Sequence, residues 1–145
     1  MLALIQLVSH AQVDVDQKTV GKIDQGIMAL IGIEKSDTDE NAAKIFERII
    51  NYRIFRDADG KTNLSLKDVN GGLLLVPQFT LVADTKKGTR PGFSKGMPPQ
   101  EGKILFDKMV TYAKANYPNV ESGIFGAHMQ VGLCNDGPVT FMLQS

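Results

Sequence analysis

A single cysteine, Cys134, stands in a sequence of 145 residues, so no intramolecular disulfide can form. A lone thiol fits a reducing compartment. Charge of one sign is also missing, because sixteen Lys and Arg offset sixteen Asp and Glu. Net charge therefore gives no sign of nucleic acid, and any RNA-binding surface has to be a local basic patch. Long hydrophobic runs are absent too. The N-terminal MLALIQLV stretch is too short for a membrane span and lacks the basic flank and cleavage site of a secretory signal. It reads as a strand, and the chain as soluble and intracellular. No phosphate-loop motif, dinucleotide glycine fingerprint or Cys/His cluster at metal spacing occurs, so neither a cofactor nor a metal is expected. His10 and His128 lie far apart in strand-like contexts, where a structural or surface role is the default. Cys134, next to Leu133 in a strand-like stretch, reads as a buried and inert thiol.

What is present is an ordinary globular balance, 43% hydrophobic and 22% charged, which predicts one domain over residues 1–145. In an extended chain Leu2, Leu4, Gln6 and Val8 face one way and Ala3, Ile5 and Leu7 the other, as in a strand covered on both faces. Val13 and Val15 alternate with Asp14 and Asp16 in a second, half-exposed strand. Residues 26–33 form a third. Asp37, with Glu40 three residues later, predicts a helix start, followed by the stripe Ala42, Ile45, Phe46, Ile49 and Ile50. The polar stretch after Phe55 reads as a turn around Asp59-Gly60. Residues 71–81, GGLLLVPQFTL, read as a buried strand, although Pro77 cannot donate to a ladder. Pro98-Pro99 start a second helix with Leu105, Met109 and Tyr112 inward and Pro118 as its stop. Met129, Val131 and Leu133 then alternate with His128, Gln130 and Cys134 before a last strand. Without repeats or linkers, this order predicts an α/β fold, a mixed sheet closed by two main helices.

Polar residues in apolar surroundings are the candidates for chemistry: Gln78, Thr80, Thr140 and the 135–138 segment Asn-Asp-Gly-Pro. The ordinary reading of Gln78 to Leu81 is a strand end, and that of 135–138 a hairpin turn. A threonine hydroxyl is a poor nucleophile without a neighbouring base, and no histidine is near Thr80 in sequence. A hydrolase built on these residues would depend on positioning and backbone hydrogen bonds acting on an already reactive bond. Activated esters fit that better than amides or phosphodiesters. From Asp84 to Gly96 the chain is basic and glycine-rich, with Lys86, Lys87, Arg90 and Lys95 against one Asp. Such a loop can grip phosphates, with a merely solvated loop as the default.

PQFTL at 77–81 and NDGPVTF at 135–141, in this order and spacing, resemble the paired signatures of the D-aminoacyl-tRNA deacylase (D-Tyr-tRNA deacylase) family. The MLALIQ strand, EK at 34–35, YRIF at 52–55, the ADTKKG loop and FGAHMQV at 125–131 follow the same plan, over nearly the whole chain. The resemblance implies a barrel-like core and hydrolysis of the ester bond of D-aminoacyl-tRNA, and of glycine mischarged on alanine tRNA. It also implies a cytoplasmic homodimer with active sites at the subunit interface, with no membrane or DNA partner. By the same resemblance Gln78, Phe79 and Thr80 form the catalytic end, with the Phe79 N–H directed at the ester carbonyl. Thr80 acts either as nucleophile or as a polar group beside a water or the terminal ribose hydroxyl. The second role is preferred, because nothing in the sequence deprotonates Thr80. Gly137-Pro138, in cis, would reach into the partner's pocket, engage the substrate α-amino group through its carbonyls and leave no room for an L side chain. Phe125, Met129 and Thr140 would bind substrate, and Lys86, Lys87 and Arg90 the acceptor-stem phosphates.

Two departures stand out. Pro77 replaces the family's usual Ser, which removes a hydroxyl and an N–H, and Leu7 its usual Arg; if that arginine holds the 137–138 dipeptide in the family, another group must do so here. Two other functions fit the residues. One is a hydrolase of small activated esters or thioesters, which would not need the basic loop. The other is a non-catalytic RNA-binding module, which would bind uncharged tRNA without turnover.

Overall fold

In a computed structural model that describes residues 1–145, one 14-residue strand, β1 (Leu2–Val15), takes the place of the first two predicted strands. Its side-chain parity slips once, where its register with β8 shifts between Val8 and His10. A bulge bends a strand and re-aims its side chains, so Ala3, Ile5 and Leu7 enter one core while Val8, Ala11 and Val13 enter another. Asp16 and Gln17, at φ 49° and 63°, then form a two-residue hairpin turn. Positive φ at both positions matches the right-handed twist of paired strands. The turn leads into β2 (Lys18–Ile23), which the sequence pattern does not predict. Within this hairpin Thr19 Oγ1 donates to Asp14 at 2.7 Å and Gln12 Nε2 at 2.9 Å, which holds the Asp14 carboxyl below the usual carboxylate range.

β3 (Gly26–Gly32) and β6 (Gly72–Pro77) are parallel neighbours, and β7 (Val120–Ser122) follows in the same sense. The sheet order is β2-β1-β3-β6-β7, with β8 (Gln130–Gln144) paired to β1. Gly21 of β2 lies so near β7 that an added Cβ would sit 2.8 Å from the Ser122 carbonyl oxygen. The sheet therefore curls into a nearly closed barrel. β3 and β6 are buried on both faces, as their continuous apolar runs require. Leu73 and Leu75 point to the helix-side core, whereas Leu74 and Val76 point to the inner one.

α1 (Asp39–Asn51) buries Ala42, Ile45, Phe46, Ile49 and Ile50, the stripe read from the sequence. Its start differs. Thr38 is the cap, and its N–H and Oγ1 both donate to Asn41 Oδ1, at 3.0 and 2.9 Å. Asp37 instead accepts from the Glu34 N–H at 2.7 Å and from the Met1 amino group. Glu40 pairs with Lys44 at 2.9 Å. A β4–β5 hairpin (Phe55–Arg56, Thr62–Leu64) and the one-turn α2 (Leu66–Val69) follow. α3 (Pro99–Asn116) packs on α1 with Gly102, Leu105, Phe106, Met109 and Ala113 inward. Tyr112, expected inside, is 40% exposed and meets Phe46 edge-on at 5.6 Å. It lies at the margin of the α1–α3 seam, where Phe106 and Ala113 fill the inner positions. No helix is long and apolar enough to cross a membrane.

The last strand carries the largest departure. Residues 135–138 do not turn the chain. β8 runs through them as one 15-residue strand, antiparallel to β1 from Gln130 opposite Asp14 to Gln144 opposite Leu2. Gln6 faces Thr140 and Val8 faces Asn135, so residues 136–139 bulge out opposite Leu7. Asn, Asp and Gly serve a bulge as well as a turn, since both need unusual backbone angles. Cys134, expected to be buried, is exposed, because its side of β8 is uncovered.

Candidate active site

Pro77 ends β6, and the chain does not continue as a strand. The Gln78 N–H still donates to the Ile31 carbonyl at 2.8 Å, after which Phe79–Val82 form a 3-10 turn. Proline supplies no N–H for a further rung, and this is where the chain leaves the sheet. In a 3-10 turn the bond closes over three residues, here Leu81 N–H to the Gln78 carbonyl at 3.2 Å. The N–H groups of Phe79 and Thr80 consequently have no acceptor within the turn. Thr80 is exposed, and its Oγ1 accepts a short hydrogen bond from Gln78 Nε2. No carboxylate, imidazole or amine is hydrogen-bonded to the Thr80 hydroxyl.

Beside this turn lies a cleft of about 440 Å³, lined by Pro77, Phe79, Phe93, Met97, Pro98 and Phe125, among others. That volume suits a small organic ligand. Phe79 is 62% exposed and Phe93 45%, and their rings lie 5.2 Å apart at the mouth. Phe125 closes the far wall because α3 has no side chain there: a Cβ on Gly102 would sit 3.1 Å from Phe125 Cζ. Met129 is behind the cleft. Its sulfur accepts from the Ile124 N–H at 3.4 Å, and Gly123 separates it from Pro77. Phe93, a phenylalanine in a polar loop, carries no signal of its own in the sequence.

The 84–96 segment is anchored rather than free. Asp84 and Gly92 exchange backbone hydrogen bonds at 2.7 and 2.9 Å, and the Lys35 N–H donates to the Lys95 carbonyl at 3.1 Å. Lys95 pairs with Asp84 at 3.8 Å. Lys86, Lys87 and Arg90 are exposed and enter no ion pair, leaving three free cations on the loop that carries Phe93.

Gly137, Pro138 and Thr140 are exposed on β8 and do not line this cleft. The Gly137-Pro138 bond is cis. Gly137 adopts φ +145°, and a Cβ there would lie 2.6 Å from Val139 Cγ2, so no other residue fits without strain. Within one chain, then, Phe79 and Phe125 line one cleft and Gln78 and Thr80 sit on the turn that carries Phe79, whereas 137–138 are not among the lining residues. No group of three or more His, Cys, Asp or Glu side chains converges in a way that could hold a metal.

Residues 4–144 match the family described as D-Tyr-tRNA(Tyr) deacylase. A protein of Legionella pneumophila (strain Lens) named D-aminoacyl-tRNA deacylase is 58% identical over 144 residues, 99% of each chain. One of the same name from Teredinibacter turnerae is 56% identical over 145 residues, 100% of each. A solved structure described as c-Myc DNA Unwinding Element Binding Protein is 34% identical with a TM-score of 0.94, covering 100% of this chain and 99% of that one. A probable eukaryotic D-amino acid tRNA deacylase shares the fold, at 18% identity and a TM-score of 0.85, with 99% and 98% covered.

Proposed function

The chain belongs to the D-Tyr-tRNA(Tyr) deacylase family, and from that premise we propose that it hydrolyses the ester bond of D-aminoacyl-tRNA. The observation that carries this reading is the aromatic cleft opening between the Gln78–Thr80 turn and a loop with three unpaired cations. An aminoacylated 3′ end needs those parts. Aromatic faces can stack its terminal base, cations can neutralise the phosphates that follow, and N–H donors can polarise the ester carbonyl. The free Phe79 N–H is the donor we assign to that carbonyl. Thr80 acts as a positioning hydroxyl for water or the terminal ribose, because its oxygen already accepts from Gln78 and has no base to take its proton. Most of the rate then comes from orientation and a prearranged oxyanion donor.

Chirality would be read by main chain rather than by a side-chain pocket. The exposed carbonyls at 137–138 would engage the α-amino group and occupy the space an L side chain needs, which admits D residues and glycine, including glycine on alanine tRNA. Since 137–138 do not line the cleft of their own chain, a second copy would supply them. The outer edge of β8 pairs with no strand, and β8 exposes Phe141 at 43% and Met142 at 52%. An unpaired edge with apolar side chains is a surface for association. The cytoplasm, where aminoacyl-tRNA is used, is the place this activity requires.

The deciding experiment measures release from matched D-Tyr-tRNA and L-Tyr-tRNA, with duplex DNA as competitor. Turnover of the D form alone supports the reading. Equal turnover of small activated esters without tRNA would move the assignment to a general esterase, and binding without release to an RNA-binding module.

A further inference from the structure

Asn135 and Gln6 converge on one hydroxyl. Asn135 Nδ2 donates to Thr140 Oγ1 at 2.9 Å, and Gln6 Nε2 donates to the same oxygen at 3.3 Å. A hydroxyl has two acceptor lone pairs and one proton. With both lone pairs engaged by amides, Thr140 is left only as a donor. The other end of the Asn135 amide spans the bulge, where Oδ1 accepts from the Val139 N–H at 3.0 Å. Residues 136–138 are thus enclosed in a loop tied at both ends by one side chain. Opposite them on β1 is Leu7, whose buried side chain offers no hydrogen bond.

We propose that Asn135 and Gln6 are positioning residues for chiral selection. Asn135 fixes the projection of 137–138 by holding the Val139 N–H, and the two amides together lock Thr140 into the mount. Thr140 then belongs to the support of the segment rather than to the substrate contact. The inference rests on the reading that 137–138 exclude L substrates, and it identifies the group that does the holding where Leu7 cannot.

The test compares Asn135→Ala, Asn135→Asp, Gln6→Ala and Thr140→Ser with the unsubstituted protein. Two quantities are read: the ratio of kcat/KM for D-Tyr-tRNA to that for L-Tyr-tRNA, and hydrogen exchange at the Val139 amide. Asn135→Ala is expected to speed exchange at Val139 and to lower the D-to-L ratio by about three- to tenfold, the loss of one hydrogen bond. Asn135→Asp keeps an acceptor for Val139 and should retain its protection. Thr140→Ser keeps the hydroxyl and should retain the ratio. A merely structural role would lower Tm without moving the ratio. An unchanged ratio in folded Asn135→Ala and Gln6→Ala overturns the proposal. Should Asn135→Ala fail to fold, an unchanged ratio in Gln6→Ala overturns it alone. If the unsubstituted protein shows no preference for the D form, the chiral reading itself falls. Exchange at Val139 in Asn135→Ala then still decides the clamp, and an unchanged rate refutes it.

Discussion

Thr80 and Gln78 are two residues apart, and that spacing lets the amide reach the hydroxyl across the first step of a 3-10 turn. The contact makes Thr80 a hydrogen-bond acceptor, which lowers its nucleophilic character. Thr80→Ala is accordingly expected to keep turnover within about tenfold of the unsubstituted protein, the scale of one lost positioning interaction. Single-turnover hydrolysis of D-Tyr-tRNA checks this, and total loss with intact binding would assign Thr80 as nucleophile. At Tyr117 the chemistry is that of burial. Its hydroxyl reaches the carbonyls of Leu66 and Gly71, at 3.2 and 2.6 Å, and burial pushes its pKa up. A raised folded value means that the stabilising effect is complete below the unfolded pKa near 10 and is lost as pH rises through the folded one. Thermal stability should therefore fall above about pH 10. Tyr117→Phe should reduce that alkaline loss while costing about 1–2 kcal/mol at neutral pH. Melting curves across pH in both proteins read the two effects.

Elements depend on close approach. Gly26 of β3 faces Gly72 of β6, and an added Cβ at Gly26 would sit 1.9 Å from the Gly72 carbonyl oxygen. β3 and β6 approach this closely there only because Gly26 lacks a side chain. Gly26→Ala should destabilise the protein by about 1–3 kcal/mol or more, as overpacking of a tight site does. Chemical denaturation gives the value, and a near-neutral result would mean that β3 and β6 can separate locally. α1 draws its hold from Ile45, Phe46 and Ile49, all fully buried against the sheet and α3.

For the whole molecule, the three free cations and the uncovered β8 edge make separate predictions. Reversing Lys86, Lys87 and Arg90 to Glu should weaken tRNA binding and flatten its salt dependence, by roughly one unit of slope for each phosphate no longer neutralised. Hydrolysis of a small activated ester should be untouched. Titrations at several salt concentrations distinguish this from a general loss of fold. Sedimentation should find a homodimer, and Met142→Glu, which puts a charge on the exposed β8 surface, should shift it toward monomer and lower deacylation in parallel. A monomer of full activity would refute the shared site.

Local pattern was sufficient wherever one periodicity held over a whole element. The α1 stripe, β3, the apolar run of β6 and the loop at 84–96 were all legible, whereas the strand read through Gln78 to Leu81 is a 3-10 turn. It failed where periodicity is broken on purpose. The bulge after Val8 made one strand look like two, and the Asp16-Gln17 turn lacks the glycine that marks such hairpins. Asn-Asp-Gly-Pro has the same composition in a turn and in a bulge, and only pairing with β1 on both sides decides between them. The exposure of Cys134 and the meeting of Gln6 with Thr140, 134 residues apart, are likewise matters of tertiary pairing. The sequence by itself thus determined the family, through the resemblance of 77–81 and 135–141 to its paired signatures. Where those residues point was decided by the barrel, because register and burial are set by contacts between residues far apart in the chain.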